Sequence, residues 1–242
     1  MISLEHVTRS FATRSGQVRV LDDLNLQIPE KQFVCICGPS GCGKTTLLMT
    51  LGGMLRPDRG KVSIEGEDLY ALCGAARASF RARELGFVFQ MFHLLPYLSV
   101  LDNVLLPARR LGGLELRRQR EAAKALIERL GLAHRAEHKP GQLSAGERQR
   151  TAIARATLLR PPVLLADEPT GNLDEQSAAE VYRILGDYRD GGGSVLVVTH
   201  GREALAYADQ VIRFDNGRFL STQAANPSPA DSTLSAQQTQ DH

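Results

Sequence analysis

Short, continuous apolar runs alternate along this chain with polar turns and amphipathic stretches. Residues 163–166 and 195–199 are almost entirely apolar, as is typical of strands that are buried on both faces of a parallel sheet. Further strands are predicted at residues 2–7, 18–28, 33–37, 61–64, 85–89, 211–214 and 218–220. The last two should form a hairpin around Asn216-Gly217.

Helical spacing of apolar residues appears between these strands. It is clearest in residues 45–51, 114–130, 148–158 and 177–188. Strands that alternate with helices predict an α/β fold whose parallel sheet is covered on both faces. The helical interval from about 90 to 160 interrupts that alternation, so we expect it to form an inserted α-helical subdomain of a domain spanning 1–221. Residues 222–242 are rich in Gln, Ser, Ala, Thr and Pro, which predicts a disordered tail.

The overall composition is that of an ordinary globular protein. Of the 242 residues, 43% are hydrophobic and 23% are charged, and the net charge of +2 favours no polyanionic partner for the whole chain. No apolar run approaches the roughly 18 residues needed to cross a bilayer, and the first residues do not resemble a signal peptide. We therefore expect a cytoplasmic protein. The cysteines, at positions 35, 37, 42 and 73, are interpreted as reduced thiols rather than disulfides or metal ligands.

One run matches the phosphate-binding pattern G-x-x-x-x-G-K-[ST] and stands between a predicted strand and a predicted helix. The run consists of Gly38, Pro39, Ser40, Gly41, Cys42, Gly43, Lys44, Thr45 and Thr46. Its backbone amides and the following helix dipole should hold the phosphates of a nucleotide. Lys44 should reach the β- and γ-phosphates, and the Thr45 hydroxyl should bind Mg²⁺. A chance glycine-rich turn is the alternative, and the strand–loop–helix context disfavours it.

Two acidic residues, Asp167 and Glu168, directly follow the apolar run 163–166. Alone, such a pair would be interpreted as solvated acids at the end of a strand. In a chain with a P-loop, it predicts a Walker B arrangement in which Asp167 holds Mg²⁺, usually through water. Glu168 would then act as the general base toward an attacking water.

The segment between these motifs contains a helix start. Ser144 and Glu147 fit the S-x-x-E capping box. A helix N-terminus of this kind is also an anion site. We expect the two functions to compete, because Ser144 would use one hydroxyl for both its own helix and a phosphate.

The run Leu-Ser-Ala-Gly-Glu at 143–147 resembles the Leu-Ser-Gly-Gly-Gln signature of the ATP-binding cassette (ABC) ATPases. The other motifs occur in the order of that family: the P-loop, Gln90, the signature, Asp167-Glu168, Asp174 and His200. The resemblance covers about residues 1–220. It implies a P-loop NTPase (RecA-like) core, an antiparallel β subdomain and an inserted α-helical subdomain.

The resemblance also implies roles for these residues. Two cassettes would pair head to tail as a homodimer on ATP binding, and Ser144, Gly146 and Glu147 would face the nucleotide held by the other subunit. Gln90 would sense Mg²⁺ and link to a transmembrane partner.

Three further positions match family residues. Asp174 would lie at the dimer seam, His200 would contact the γ-phosphate, and Phe11 would stack on adenine. For Phe11 the alternative is a core position between two strands. Glu147 places a negative charge where glutamine is commoner, which should weaken phosphate binding unless Arg148 or Arg150 compensates.

The run Thr-Gly-Asn-Leu-Asp at 170–174 resembles the subgroup of lipoprotein-release, macrolide-export and cell-division ATPases. This resemblance implies an ATPase of an export or mechanotransmission complex, on the inner face of the inner membrane. Its partners would be permease subunits with few transmembrane helices and a large periplasmic domain, with a periplasmic adaptor as a further candidate; no nucleic acid is expected. The alternatives are a cell-division regulator of the same subgroup and a soluble cassette ATPase acting on nucleic acid or ribosomes.

Overall fold

The structure is a computed structural model that describes residues 1–14 and 16–224. Its strands are β1 (Ile2–Thr13), β2 (Gly16–Ile28), β3 (Phe33–Cys37), β4 (Arg59–Ile64), β5 (Glu67–Asp68), β6 (Leu85–Phe89), β7 (Val163–Asp167), β8 (Ser194–Thr199), β9 (Gln210–Asp215) and β10 (Arg218–Ala224). Its α-helices are α1 (Lys44–Leu51), α2 (Gly74–Glu84), α3 (Val100–Val104), α4 (Gly113–Arg129), α5 (Ala145–Thr157) and α6 (Glu175–Asp190). Short 3-10 turns occupy Leu106–Arg110, Ala133–Arg135, Pro140–Gln142 and Glu203–Ala206.

Six strands form one sheet in the order β10-β9-β3-β8-β7-β6. The pairs β9–β3, β3–β8, β8–β7 and β7–β6 are parallel, and β10 is antiparallel to β9. Every residue of β7 and β8 is buried, which explains their apolar sequences. The parallel sheet confirms the predicted α/β fold, and it brings the carboxyl ends of β3, β6, β7 and β8 to one edge.

A second, antiparallel sheet has the order β2-β1-β4-β5. Helix α1 lies between the two sheets and buries Leu47, Leu48 and Leu51 completely. These leucines join one apolar cluster with residues of both sheets, such as Leu4 and Val198. The start of α1, and with it the P-loop, is therefore fixed by packing on both sides.

The chain between β6 and β7 folds into the α-helical subdomain that contains α3, α4 and α5. The subdomain packs on the other face of the large sheet through a second cluster, which includes Val104, Ile127 and Ile153. In α4 the fully buried residues are Ala123 and Ile127, whereas the arginine-rich face is largely exposed. This pattern is what the helical spacing predicts for an amphipathic helix.

The structure differs from the sequence expectations in several elements. Strand β1 continues to Thr13 rather than ending at residue 7, and β5 was not predicted. Helix α2 was not predicted, because Phe80 is its one buried residue and it therefore lacks an apolar stripe. Helix α5 starts at Ala145 rather than at residue 148. Residues 222–224 belong to β10 and pair with β9, so the prediction that they are part of a disordered tail is wrong; residues 225–242 lie outside the described part of the chain. Among the described helices, none is both long and apolar enough to span a membrane.

Candidate active site

The P-loop joins β3 to α1 along a path that needs glycine. Gly41 and Gly43 have φ angles of +81° and +108°, in the left-handed region where other residues are strained. A Cβ on Gly38 would come within 1.9 Å of the Phe214 carbonyl oxygen. These glycines let the backbone curl tightly against β9 while leaving the tip of the loop open around Gly41, where a Cβ would meet nothing within 4 Å.

Lys44 places a buried ammonium group inside this curl. Its side chain is only 5% exposed. Its Nζ donates hydrogen bonds of 2.8 Å to the carbonyl oxygens of Gly38 and Pro39, and lies 3.6 Å from Oε1 of Glu168. A buried cation that bridges the loop and an acidic residue is suited to bind an anion at the same position.

Thr45 and Asp167 form a pair of hard oxygen donors beside the loop. Thr45 Oγ1 donates to Asp167 Oδ1 over 3.2 Å, although the two residues are far apart in the sequence. Burial raises the pKa of the Asp167 carboxyl above its ordinary value, while the Thr45 hydroxyl opposes that shift. A hydroxyl next to a carboxylate is a donor set that Mg²⁺ prefers, so these residues fit the metal.

Glu168 follows β7 with a left-handed backbone, at φ +44°. Its Oε1 lies 2.9 Å from His200 Nδ1, and its Oε2 accepts hydrogen bonds from Thr199 Oγ1 at 2.9 Å and from the His200 amide at 3.3 Å. The two predicted residues therefore meet at the ends of neighbouring strands. Strained backbone at such a position is common where function fixes a side chain.

Thr199 is a site residue that the sequence analysis missed. The residue is buried, its hydroxyl accepts a hydrogen bond of 3.0 Å from the Gly201 amide, and it donates to Glu168. Its signal in the sequence is weak: a hydroxyl residue at the end of an apolar strand, directly before His200. Only the pairing of β8 with β7 shows that it faces the acidic residue.

Gln90 lies at the same edge, because Phe89 is in register with Asp167 across β6 and β7. Its amide packs on Gly171, where a Cβ would come 2.7 Å from Nε2. The Asn172 side chain donates to the Gln90 backbone carbonyl over 3.1 Å. The structure thus holds Gln90 against the segment that follows Glu168.

Ser144 caps α5 as the sequence predicts. Its Oγ accepts from the Glu147 amide at 3.1 Å, and a Glu147 carboxylate oxygen accepts from the Ser144 amide at 2.7 Å. The cap uses the hydroxyl as an acceptor, and the expected competition between capping and phosphate binding stays a prediction. A hydroxyl also has one hydrogen to donate, and capping leaves that hydrogen available.

The Glu147 carboxylate is paired, but with neither predicted arginine. Its Oε1 accepts from Arg135 Nε at 3.0 Å. Arg148 instead stacks over Phe92, and Arg150 is paired with Glu180. The expectation that Arg148 or Arg150 compensates the charge is therefore corrected to Arg135.

Asp174 caps α6 by accepting from the Ser177 amide at 2.9 Å and from the Ser177 hydroxyl at 2.8 Å. These hydrogen bonds hold the pKa of the Asp174 carboxyl below its ordinary value. The start of α5 packs closely here, since a Cβ on Gly146 would lie 2.8 Å from Ser177 Oγ. The two helix N-termini are therefore neighbours on the surface.

Phe11 lies on β1 opposite Val18, with the Arg9 guanidinium 4.9 Å from its ring centre. It is half-buried and belongs to neither described apolar cluster, which argues against the alternative of a core position. The cysteines are free thiols, as predicted, although Cys73 is exposed.

Known proteins are similar to this chain in sequence and in fold. The family model for ABC transporters matches residues 21–171, which is more than half of the chain. The chain belongs to the ABC transporter family. As a member of that family, it is an ATP-binding cassette with ATPase chemistry, and the P-loop and the acidic strand end described above both lie within the matched residues.

Three individual comparisons refine this assignment. The cassette is 41% identical over 221 residues to the lipoprotein-releasing system ATP-binding protein LolD of Geobacter metallireducens, covering 91% of this chain and 98% of that protein. It is 43% identical to the macrolide export ATP-binding/permease protein MacB of Chromobacterium violaceum, covering 90% of this chain but 34% of that protein. A dimeric structure of the cassette MJ0796, bound to ADP and Pi in a post-hydrolysis state, matches with a TM-score of 0.87 and 34% identity, over 94% of this chain and all of that one.

Proposed function

We propose that this cassette is the ATP-hydrolysing subunit of an export or mechanotransmission complex, and that it drives membrane partner subunits from the inner face of the inner membrane. The observation that carries the proposal is the carboxylate of Glu168, which is held by Thr199 and His200 beside Lys44 and the Thr45–Asp167 pair. The match along almost the whole length of a LolD protein supports the choice of complex.

In this proposal the P-loop binds the triphosphate of ATP. The amides of residues 38–46 and the N-terminus of α1 donate to the phosphate oxygens. Lys44 would exchange its hydrogen bonds to the carbonyl oxygens of Gly38 and Pro39 for contacts with the β- and γ-phosphates. Phe11 provides a face on which adenine stacks.

Thr45 and Asp167 would hold Mg²⁺, with Gln90 as a further oxygen donor at the same edge. Mg²⁺ in such sites neutralises charge that develops on the phosphates. Asp167 is suited to this work because its carboxylate is poorly solvated, so that binding a cation stabilises its charged form.

Glu168 would accept the proton of the attacking water. Thr199 and the His200 amide both donate to Oε2, which fixes the rotation of the carboxylate and leaves Oε1 facing Lys44 and the His200 ring. His200 would turn its imidazole between Glu168 and the γ-phosphate. A positioned base of this kind contributes about 10²–10⁴-fold to a rate.

The signature would act on the nucleotide of a second subunit. Ser144 is exposed and its hydroxyl hydrogen is available, while the start of α5 lies next to that of α6. A head-to-tail homodimer would place Ser144 and Gly146 against the γ-phosphate held by the partner's P-loop, with Asp174 at the seam.

The membrane partner would dock at a cleft of about 330 Å³ beside the helical subdomain. Apolar side chains dominate its lining, including Met54, Phe87 and Phe89, and Arg81 lies at its side. We propose that it receives a short amphipathic helix of the permease that carries an acidic residue. Because β6 lines the cleft and ends directly before Gln90, occupation of the cleft would change the position of Gln90 beside the nucleotide.

The test is an affinity purification of tagged Glu168→Gln protein with MgATP from detergent-solubilised membranes, identified by mass spectrometry. Glu5→Gln, the same change at an exposed position on β1, is the matched control. We expect the first variant to recover a permease with few transmembrane helices and a large periplasmic domain, more strongly than the control. A periplasmic adaptor in the same eluate would indicate an export pump. Recovery of only ribosomal or DNA-bound proteins would overturn the proposal.

The docking cleft has its own pair of variants. Met54→Asp should remove the permease from the eluate and leave ATP binding intact. Leu114→Asp also introduces an aspartate at an exposed apolar residue, but on α4 and outside the cleft lining. This variant should still recover the permease. Equal recovery by both variants would contradict the proposed docking position.

A further inference from the structure

The acidic residue of the signature is the least expected feature of the proposed interface. Glu147 carries its charge one helical turn from Ser144, at the point where a phosphate of the other subunit would arrive. An uncompensated carboxylate there would repel the phosphate. Its position is fixed, because the capping box ties one carboxylate oxygen to the Ser144 amide at 2.7 Å.

Arg135 reaches the other carboxylate oxygen of Glu147. Its Nε donates to Oε1 at 3.0 Å, and His134 Nε2 lies 3.8 Å from the same oxygen. The two oxygens of Glu147 thus have different partners: the backbone of the signature and a cation from outside it. The hydrogen bond to the Ser144 backbone and the Arg135 guanidinium together keep the pKa of Glu147 low, so the charge is present at neutral pH and needs a counter-charge.

The backbone that carries Arg135 is anchored independently of the signature. Leu132, at the start of its 3-10 turn, is completely buried. On the other side of the turn, the amides of Leu101 and Val100 donate to the carbonyls of Ala136 and His138, each at 2.9 Å. The backbone at Arg135 is therefore held by α3 and the subdomain core, at a distance from which its guanidinium reaches Glu147.

The other nearby arginines have different partners. Arg148 lies over the Phe92 ring with its guanidinium carbon 5.5 Å from the ring centre, and Arg150 pairs with Glu180 on α6. Within the described part of the chain, Arg135 is the arginine that pairs with Glu147.

We propose that Arg135 is a positioning residue for ATP-driven pairing: it neutralises Glu147 while leaving the Ser144 hydroxyl and the α5 N-terminus free to receive the γ-phosphate of the nucleotide on the other subunit. The inference rests on the proposed head-to-tail dimer. Arg135 itself acts through Glu147 and is not assigned a contact with the nucleotide.

The experiment measures ATP-dependent dimerisation by analytical ultracentrifugation in the Glu168→Gln background, and the KM and kcat of hydrolysis in the chain that retains Glu168. Arg135→Gln removes the positive charge of Arg135, and Arg135→Lys keeps a positive charge there. Each variant is prepared both in the chain that retains Glu147 and in the chain that carries Glu147→Gln. Nucleotide binding to the monomer, followed with a fluorescent ATP analogue, serves as a check on the P-loop half.

We expect Arg135→Gln to raise the ATP concentration for half-maximal dimerisation, and the KM, by about threefold to fivefold, as for the loss of one partly exposed charge pair. Binding to the monomer should change less than about twofold, and Arg135→Lys should recover most of the loss. With Glu147→Gln, the same Arg135→Gln change should cost less than about twofold, because no charge remains to be neutralised.

The outcomes separate the two proposals. If the Glu168→Gln chain forms no ATP-dependent dimer, the proposed dimer fails and this inference fails with it. If it dimerises and Arg135→Gln has no effect, or has an equal effect with and without the Glu147 charge, the inference alone is overturned. If Arg135→Gln lowers both the melting temperature and kcat and leaves KM unchanged, Arg135 only supports the fold, and the inference is overturned.

Discussion

The carboxyl edge of the large sheet and the N-terminus of α5 both carry residues suited to bind phosphate. They differ in how many of the groups that the chemistry needs are brought together within one chain. At the sheet edge, Lys44 lies 3.6 Å from Glu168, and His200 lies 2.9 Å from the same residue. Thr45 and Asp167 are hydrogen-bonded beside them. Strands β3, β7 and β8 bring these side chains together, so this half of the site is assembled by the register of a single sheet.

The signature half is built in the opposite way. Ser144 and Glu147 use their hydrogen bonds to cap their own helix, and Arg135 neutralises the charge of the Glu147 carboxylate. Its connection to the hydrolytic half is indirect: Gln149 Nε2 donates to the Pro169 carbonyl at 2.6 Å, and Arg155 donates to the carbonyls of Phe92 and His93. In the proposed head-to-tail dimer, the first half is complete within one chain, whereas the second would act on the nucleotide of another copy.

Mixing two inactive variants would test this division most strongly. Glu168→Gln and Ser144→Arg should each slow hydrolysis by about 10²–10⁴-fold, since one removes the base and the other blocks closure on the phosphate. An equal mixture should regain a substantial part of the activity in a phosphate-release assay. In a head-to-tail pair, one of the two sites then combines an intact base with an intact signature.

The matched control is a mixture of Glu168→Gln with Lys44→Ala. Both changes lie in the hydrolytic half, so neither site of a mixed pair is intact and no activity should return. Recovery in this control, or its absence in the first mixture, would contradict the division of the site between two chains.

The rate of hydrolysis at the sheet edge should also fall when a hydrogen bond to Glu168 is removed and no charge is changed. Thr199→Val keeps the shape of a buried residue but removes the hydrogen bond to Glu168, and bonds to charged groups are worth about 1.5–3 kcal/mol. We expect kcat to fall about tenfold or more at unchanged ATP affinity. Thr199→Ser, which retains the hydroxyl, should keep most of the rate; a similar loss in both variants would mean that packing rather than the hydrogen bond matters.

The melting temperature should also respond oppositely to the loss of an acidic charge at the sheet edge and of one at the start of α6, next to the signature. Burial raises the pKa of Asp167, so its charged form is less stable in the folded chain than in the unfolded chain. Without nucleotide, Asp167→Asn should raise the melting temperature by about 2–4 °C, which corresponds to roughly 1 kcal/mol, while Mg²⁺-dependent hydrolysis is lost. Asp174→Ala should lower the melting temperature, because it removes the side chain that caps α6. A shift of the same sign in both variants would contradict the interpretation.

The smallest expected effect is on the folding stability of the chain at acidic pH, through Glu147. The folded pKa of Glu147 is lower than its ordinary value of 4.5, so the unfolded chain binds more protons in this range. The stability from this group is therefore present above pH 4.5 and is lost as the pH falls through the folded pKa. Compared with Glu147→Gln in denaturant titrations, the unmodified chain should lose about 0.5 kcal/mol more between neutral pH and about pH 3. Parallel pH profiles would contradict this.

Local motifs were predicted well because their spacing alone constrains the backbone. The run 38–46 between an apolar strand and a helix, and Asp167-Glu168 after an apolar run, hold their geometry within a few residues. The ATPase family followed from the order of such motifs, and the parallel α/β fold followed from the alternation of strands and helices. Helix α2 was missed because it buries little, and the β10 boundary was misplaced because its end is exposed and is held by pairing with β9.

The sequence by itself determined which residue types stand at strand ends and helix starts, and therefore the nucleotide chemistry. Only the tertiary structure decided which of them meet. Thr199 reaches Glu168 because β8 pairs with β7, and Arg135 reaches Glu147 because α3 holds a turn next to the start of α5. Both contacts depend on the packing of elements whose connections have no regular spacing in the chain. Periodicity and motif length describe neighbours along the backbone, whereas these neighbours are set by burial of the two apolar clusters.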